Sequence, residues 1–199
     1  TELIKIRNVC NISIEEKRAN KEIGSSLEAG LSIKLNNKSD FWLLKTDGLG
    51  NQQWVNTFGT VEKDVCYAVQ QTTDGGYILT GYIGETDTSD GEIWISKTDI
   101  SGTQIWSNTY GSGRAEYSVQ QTTDGGYIIP TGDMDILKID ANGNTEWSCN
   151  YFPDIRAIFS VKQTIDGGYV MTGLVINNNA DVCIIKVDSI GAVSWIKNY

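Results

Sequence analysis

Short runs of aromatic and β-branched residues, separated by Gly, Asp or Asn, recur along most of the chain. Such runs predict strands. One set follows an Asp-Gly-Gly turn: Tyr77 to Tyr82, Tyr127 to Thr131 and Tyr169 to Val175. A second comprises Phe41 to Thr46, Ile93 to Thr98, Ile136 to Ile139 and Val182 to Val187. The third carries a tryptophan, as in Gln53 to Phe58, and the fourth includes Tyr67 to Thr72, Tyr117 to Thr122 and Phe159 to Thr164. The second strands are apolar on both faces, which fits sheets packed between two other sheets rather than against water.

The runs belong to repeats. The string Val69-Gln70-Gln71-Thr72-Thr73-Asp74-Gly75-Gly76-Tyr77-Ile78 returns unchanged as Val119 to Ile128, and with three differences as Val161 to Val170. Out of step with it runs Lys-x-Asp-x-x-Gly-x-x-x-Trp, beginning at Lys45, Lys97, Lys138 and Lys186 and ending at Trp54, Trp106, Trp147 and Trp195. The interval is about 40–50 residues, that of a four-stranded propeller blade. Asp-Gly between extended runs suits a tight hairpin, because glycine accepts positive φ. Asp-x-x-Gly suits a slightly longer one, its carboxylate taking backbone amides. The expected fold is all-β: a four-bladed β-propeller of four-stranded antiparallel blades, spanning residues 1–199 as one domain.

Blade boundaries are expected near 23–73, 74–123, 124–165 and 166–199. On this division the last repeat stops at Asn198-Tyr199 without its fourth strand. Residues 1–22 are surplus to the first blade, and Ile4, Ile6, Cys10, Ile12 and Ile14 share one face in a period-2 reading. This N-terminal segment is therefore expected to complete the last blade and close the ring. Glu15 to Glu22 would form a charged loop.

Composition narrows the chemistry. With 21 glycines and 2 prolines the chain suits many tight turns, and its net charge of −9 argues against a nucleic-acid partner. There is no histidine, so Ser-His and Cys-His nucleophile pairs and the commonest zinc ligand are excluded. Cys10, Cys66, Cys149 and Cys183 form no Cys-x-x-Cys pair, leaving buried thiols and one or two disulfides both open. No apolar run reaches the ~20 residues of a membrane helix. Asn11-Ile12-Ser13 and Asn37-Lys38-Ser39 match the glycosylation pattern, and a chain beginning at Thr1 suits a processed or trimmed form. These features point towards an extracellular or cell-surface setting.

The order Gly-Gly-Tyr-Ile, an aromatic strand ending in Lys-x-Asp, then Gly-x-x-x-Trp resembles the repeats of exported bacterial and archaeal β-propeller proteins. It is similar, more distantly, to pyrroloquinoline quinone-type propeller repeats. The resemblance covers about residues 30–199 and implies a propeller fold without fixing an activity. Quinone enzymes of that superfamily stack their cofactor between a tryptophan and a disulfide of adjacent cysteines. This chain has no adjacent cysteines, and the cofactor does not carry over.

Antiparallel pairing should bring the Asp-Gly-Gly and Lys-x-Asp turns to one face. Lys45, Lys97, Lys138 and Lys186 would then lie near Asp74, Asp124 and Asp166, either as turn-capping ion pairs between blades or as a polar mouth for a ligand. Asp47, Asp99, Asp140 and Asp188 belong to the same girdle. Glu85, Asp87 and Asp90, with Glu92, offer hard oxygen ligands for Ca²⁺, the one candidate cofactor. The repeat tryptophans are expected in the core or between blades. The leading functional expectation is a non-catalytic module binding a carbohydrate or protein partner, with self-assembly through the N-terminal strand as a further route. A carboxylate-based glycosidase or lyase, which needs no histidine, and a subunit of an extracellular polymer are the alternatives.

Overall fold

The computed structural model describes residues 41–60, 64–84, 91–112, 118–132, 135–151, 155–175 and 181–199. Fourteen strands occupy them: β1 (Phe41–Thr46), β2 (Gln52–Phe58), β3 (Val65–Gln71), β4 (Tyr77–Ile83), β5 (Glu92–Thr98), β6 (Gln104–Ser112), β7 (Gln120–Gln121), β8 (Tyr127–Pro130), β9 (Asp135–Ile139), β10 (Thr145–Asn150), β11 (Ile155–Gln163), β12 (Tyr169–Val175), β13 (Asp181–Val187) and β14 (Val193–Asn198). They form one two-stranded sheet, I (β1-β2), and three four-stranded antiparallel meanders, II (β3 to β6), III (β7 to β10) and IV (β11 to β14). The expected all-β architecture of antiparallel sheets is therefore present.

The turns behave as their residues dictate. In each Asp-Gly-Gly hairpin the first glycine takes positive φ, 84° at Gly75, 87° at Gly125 and 81° at Gly167. Across the first hairpin, Gln71 pairs with Tyr77 and Val69 with Leu79. The Lys-x-Asp turns also place their glycine at positive φ, and the turn aspartate accepts two backbone amides. Asp99 Oδ1, for example, takes the amides of Ser101 and Thr103, each at 2.8 Å.

One expectation is corrected here. The run before each Asp-Gly-Gly turn is the first strand of the sheet that follows, not the fourth strand of the one before. A tight hairpin ties its two arms into the same sheet, so every sheet starts one strand earlier than the expected boundaries. Consequently sheet IV has its full four strands, β11 to β14, and lacks no outer strand. The expected closure, with the N-terminal segment finishing the last blade, loses its vacancy; residues 1–40 themselves lie outside the described residues.

Three apolar clusters join the sheets in succession. Phe41, Leu43 and Phe58 of sheet I meet Leu79 and Trp94 of sheet II. Ile78, Ile93 and Ile95 of sheet II meet Tyr127, Ile129 and Leu137 of sheet III. Ile128 and Ile136 of sheet III meet Met171, Cys183 and Ile185 of sheet IV. Every residue of β4 but the last is buried, as is every residue of β5 but the first, because sheet II is covered on both faces.

Bulges fix where backbone comes close to backbone. The register of β3 shifts between Cys66 and Ala68 opposite Gly81, and that of β11 shifts between Ile158 and Ser160 beside Gly173. A Cβ at Gly81 would lie 2.8 Å from the carbonyl carbon of Val65 and 2.9 Å from the Cα of Cys66. Such backbone cannot yield as a side chain would. Gly81→Ala should cost about 1–3 kcal/mol in urea unfolding, the ordinary penalty of overpacking. A Cβ at Gly48 meets nothing within 4 Å, so Gly48→Ala should stay within about 0.5 kcal/mol of the parent.

Candidate functional site

The girdle expected from the two turn motifs is assembled as ion pairs. Lys97 Nζ lies 2.9 Å from Asp74 Oδ2, Lys138 Nζ 3.0 Å from Asp124 Oδ2, and Lys186 Nζ 3.0 Å from Asp166 Oδ2. Both turns of sheets II, III and IV thus emerge at the same end. Lys45 lies with its amine 6.0 Å from the centre of the Tyr77 ring of the next sheet.

Each pair is a latch built from the same parts. The aspartate accepts the hydroxyl of the threonine two residues before it, at 2.5 Å from Thr72 to Asp74, and the amide of the second turn glycine, 2.9 Å from Gly76. The lysine amine crosses the turn to the aspartate and also donates to the carbonyl of the residue after it, as Lys97 does to Thr98 at 2.7 Å. Backbone and amine together fill the space above the second glycine: a Cβ at Gly76 or Gly126 would clash with the carbonyl oxygen of Thr98 or Ile139 and stand 2.5 Å from the lysine amine. The glycine pair therefore has two separate causes, positive φ for the first and, for the second, the close approach of the neighbouring strand's backbone with the lysine amine beside it.

Burial is unequal within the pairs. Lys97 and Lys138 side chains are 5% and 2% exposed, whereas their aspartates are more than half exposed. Lys138 has a second carboxylate, Glu146, at 2.6 Å. Burial works against its positive charge, but Glu146 and Asp124 outweigh burial and hold its pKa above the ordinary lysine value. The Thr72 hydroxyl, with Gly76 and Lys97 and against some burial, holds the Asp74 carboxyl down to about 2. Thr164, with Lys186 and Gly168, does the same for Asp166. Burial raises Asp124, yet Thr122, Gly126 and Lys138 together bring it below the usual carboxylate range. These acids are ionised and these amines engaged, so the arrangement is a set of fixed dipoles rather than a proton-transfer device.

A second set of contacts was not anticipated from the sequence. Gln70 accepts the amide of Gln121 at 2.6 Å, and Gln121 accepts the amide of Thr73 at 2.8 Å. One sheet further on, Gln120 accepts the amide of Gln163 at 2.7 Å and Gln163 accepts the amide of Thr123 at 2.9 Å. The paired glutamines of the ten-residue string thus stitch the first strands of successive sheets together. Their verbatim recurrence was the available signal. Three of the four repeat tryptophans lie between sheets as expected: Trp54, Trp106 and Trp147 sit edge-on to Tyr77, Tyr127 and Tyr169 of the following sheet, whereas Trp195 is 41% exposed.

Glu85, Asp87 and Asp90, the candidate Ca²⁺ ligands, lie outside the described residues; Glu92 is exposed at the start of β5. Among the described residues no group of three or more acids and cysteines is placed to hold a metal ion. Cys149 and Cys183 are free thiols, and burial pushes the Cys183 thiol up. No helix among the described residues is long and apolar enough to cross a membrane.

No family model matches the chain. A stretch of 44 residues, 22% of the chain, is 70% identical to isoleucine–tRNA ligase of Pelagibacter ubique (strain HTCC1062), of which it spans 5%. Among solved structures, BamB from Moraxella catarrhalis, a propeller-repeat protein of the pyrroloquinoline quinone-like type, aligns over 84% of this chain with a TM-score of 0.56 at 16% identity. A eukaryotic initiation factor aligns over 85% at 0.52 and 8% identity. The chain spans 48% and 42% of those two proteins. The likeness shows the fold: these are propeller-type sheets.

Linkage gives the latch a measurable consequence. The usual aspartate value is 3.8, and in the folded chain Asp74 and Asp166 are held down to about 2. A depressed folded-state pKa means that the unfolded chain takes up protons first as pH falls. Stability should be level from pH 7 to about 5 and fall between about 4 and 2, read as the urea midpoint at each pH. A midpoint that rises across that acid interval would contradict the latch.

Proposed function

We propose that the chain is a non-catalytic binding or assembly module for a carbohydrate or protein partner, working at the cell surface or outside the cell. The observation that carries this reading is the state of the girdle carboxylates. Asp74, Asp124 and Asp166 are each paired with a lysine and each held below the usual range. A glycosidase needs one carboxyl group with a raised pKa facing a second carboxylate across a cleft. The girdle offers the opposite: ionised, half-exposed carboxylates alternating with buried amines around one end of the sheets. Such an end presents fixed acceptors to hydroxyl-rich or amide-rich partners at little reorganisation cost.

Ca²⁺ remains part of the proposal only through Glu85, Asp87 and Asp90, whose oxygen chemistry suits it. A glycan-array screen of the purified chain, run with and without Ca²⁺, tests the reading. Binding of a defined glycan class, lost when Asp74 and Asp124 are both changed to Asn, is the expected result. Turnover of a bound glycan would instead establish the glycosidase or lyase alternative.

A further inference from the structure

The four Lys-x-Asp turns share one backbone, and sheet III fills it with a reactive pair. Each turn closes on a hydrogen bond from its glycine to its aspartate: Gly102 N donates to the Asp99 carbonyl at 3.0 Å and Gly143 N to the Asp140 carbonyl at 3.1 Å. The residue before the glycine is Leu49, Ser101 and Ile190 in sheets I, II and IV, but Asn142 in sheet III. Asn142-Gly143 is the one Asn-Gly step in the chain.

The asparagines around these turns differ in what holds their side chains. Asn51 Nδ2 donates to Asp47 Oδ2 at 3.0 Å, and Asn144 Nδ2 to Asp140 Oδ2 at 2.9 Å. Asn56 donates to the Ser101 carbonyl at 2.9 Å and Asn108 to the Gly143 carbonyl at 3.3 Å. Asn142 is exposed. Its backbone amide donates to Asp140 Oδ1 at 2.8 Å, and among the described residues its side chain has no hydrogen-bond partner. The glycine after it has no Cβ to shield the backbone nitrogen, whereas Gln52 and Thr145 follow Asn51 and Asn144. An unheld carboxamide thus stands beside an unshielded amide nitrogen of its own chain, where an intramolecular reaction gains most from proximity.

We propose that Asn142 is a self-modification site of the folded chain, at which the Gly143 nitrogen turns the side-chain amide into an acid. The nitrogen bonds to Asn142 Cγ and the Cγ–Nδ2 bond breaks, so ammonia leaves with the proton that Gly143 gives up. Water then opens the five-membered imide at either carbonyl, leaving an aspartyl or an isoaspartyl residue; nothing is oxidised or reduced. The Gly143 N–H must first leave the Asp140 carbonyl, and a surface turn opens locally at far less cost than the whole fold. The Asp-Gly steps of the latch would form the same ring only from a neutral carboxyl. Asp74 and Asp166 are held down to about 2, so they stay ionised and inert.

The two products differ in their effect on the junction of sheets II and III. Sheet II grips this turn: Trp106 Nε1 donates to the Ala141 carbonyl at 3.2 Å and the Tyr110 hydroxyl to the Gly143 carbonyl at 2.6 Å. Tyr151 holds the Gly191 carbonyl in the same way at 2.9 Å. A Cβ at Gly143 would stand 3.0 Å from the Trp106 ring. An aspartyl residue keeps this backbone and adds a carboxylate beside Asp140, at the end that carries the latches. An isoaspartyl residue routes the main chain through its side chain, one methylene longer, between the two gripped carbonyls. The inference needs no ligand and holds whether or not that end binds one.

Ageing the purified, folded chain in mildly alkaline buffer tests it. Two variants accompany the parent: Asn142→Gln, whose side chain cannot close a five-membered ring, and Asn142→Asp, which supplies the charge alone. Peptide mapping by mass spectrometry should find the amide-to-acid mass gain at position 142 of the parent, as two chromatographic species. Asn51 and Asn144 should still be amides, and the Asn142→Gln chain should keep all its amides over the same time. Parent enriched in the isoaspartyl form should unfold at lower urea than Asn142→Asp, whose midpoint should stay close to that of fresh parent. No conversion, conversion confined to urea-unfolded chain, or conversion of Asn51 or Asn144 as fast as Asn142 would each overturn the proposal. An isoaspartyl form as stable as Asn142→Asp would overturn the effect assigned to the junction.

Discussion

The constraint behind this structure is that its sheets are apolar on both faces. A sheet of that kind is stable only when another sheet covers each side. In sheet II the condition is met: Ile78, Ile95 and Thr80 are fully buried, and so are Leu79 and Ser96 on the alternate positions. Successive copies of one sequence unit solve the problem by stacking, each forward face on the next rear face. The tryptophan, the turn glycine and the tyrosine recur because every junction needs the same knob, the same flat seat and the same hydrogen bond.

Stacking alone would leave the sheet ends loose, and the lysine latch closes them. Its amine is buried but keeps two kinds of acceptor within reach, a carboxylate and a backbone carbonyl, and at Lys138 a second carboxylate as well. A buried amine without such partners would be costly to charge. The aspartate bears the other duties of the turn, taking a hydroxyl and an amide, so removing it would expose several groups at once. This explains why residues that look like a binding constellation serve first to hold two hairpins together. Any ligand at that end meets a surface already organised by its own ion pairs.

Much of this was legible in the sequence. The strands, the two turn chemistries and the meeting of Lys97, Lys138 and Lys186 with Asp74, Asp124 and Asp166 all follow from spacing and from what Gly and Asp do in hairpins. The start of a sheet was not legible in the same way. A cyclic repeat has no intrinsic beginning, and only the hydrogen bonds of β3, β7 and β11 decide which neighbour they join. Counting from Tyr77 rather than Val65 made the tail look one strand short, and the proposed role of the N-terminal segment came from that offset. The glutamine contacts were hidden for a related reason: Gln70 and Gln121 are ordinary polar residues until the first strands are known to lie side by side. The candidate cation ligands at Glu85, Asp87 and Asp90 lie outside the described residues.

Hydrogen–deuterium exchange, followed strand by strand, tests the stacking constraint most directly. The amides of β4, β5, β8 and β9, covered on both faces, should be strongly protected. Those of β14, most of whose residues are exposed, should exchange faster. Equal protection in all these strands would contradict the claim that a sheet is held by the neighbours that cover its faces.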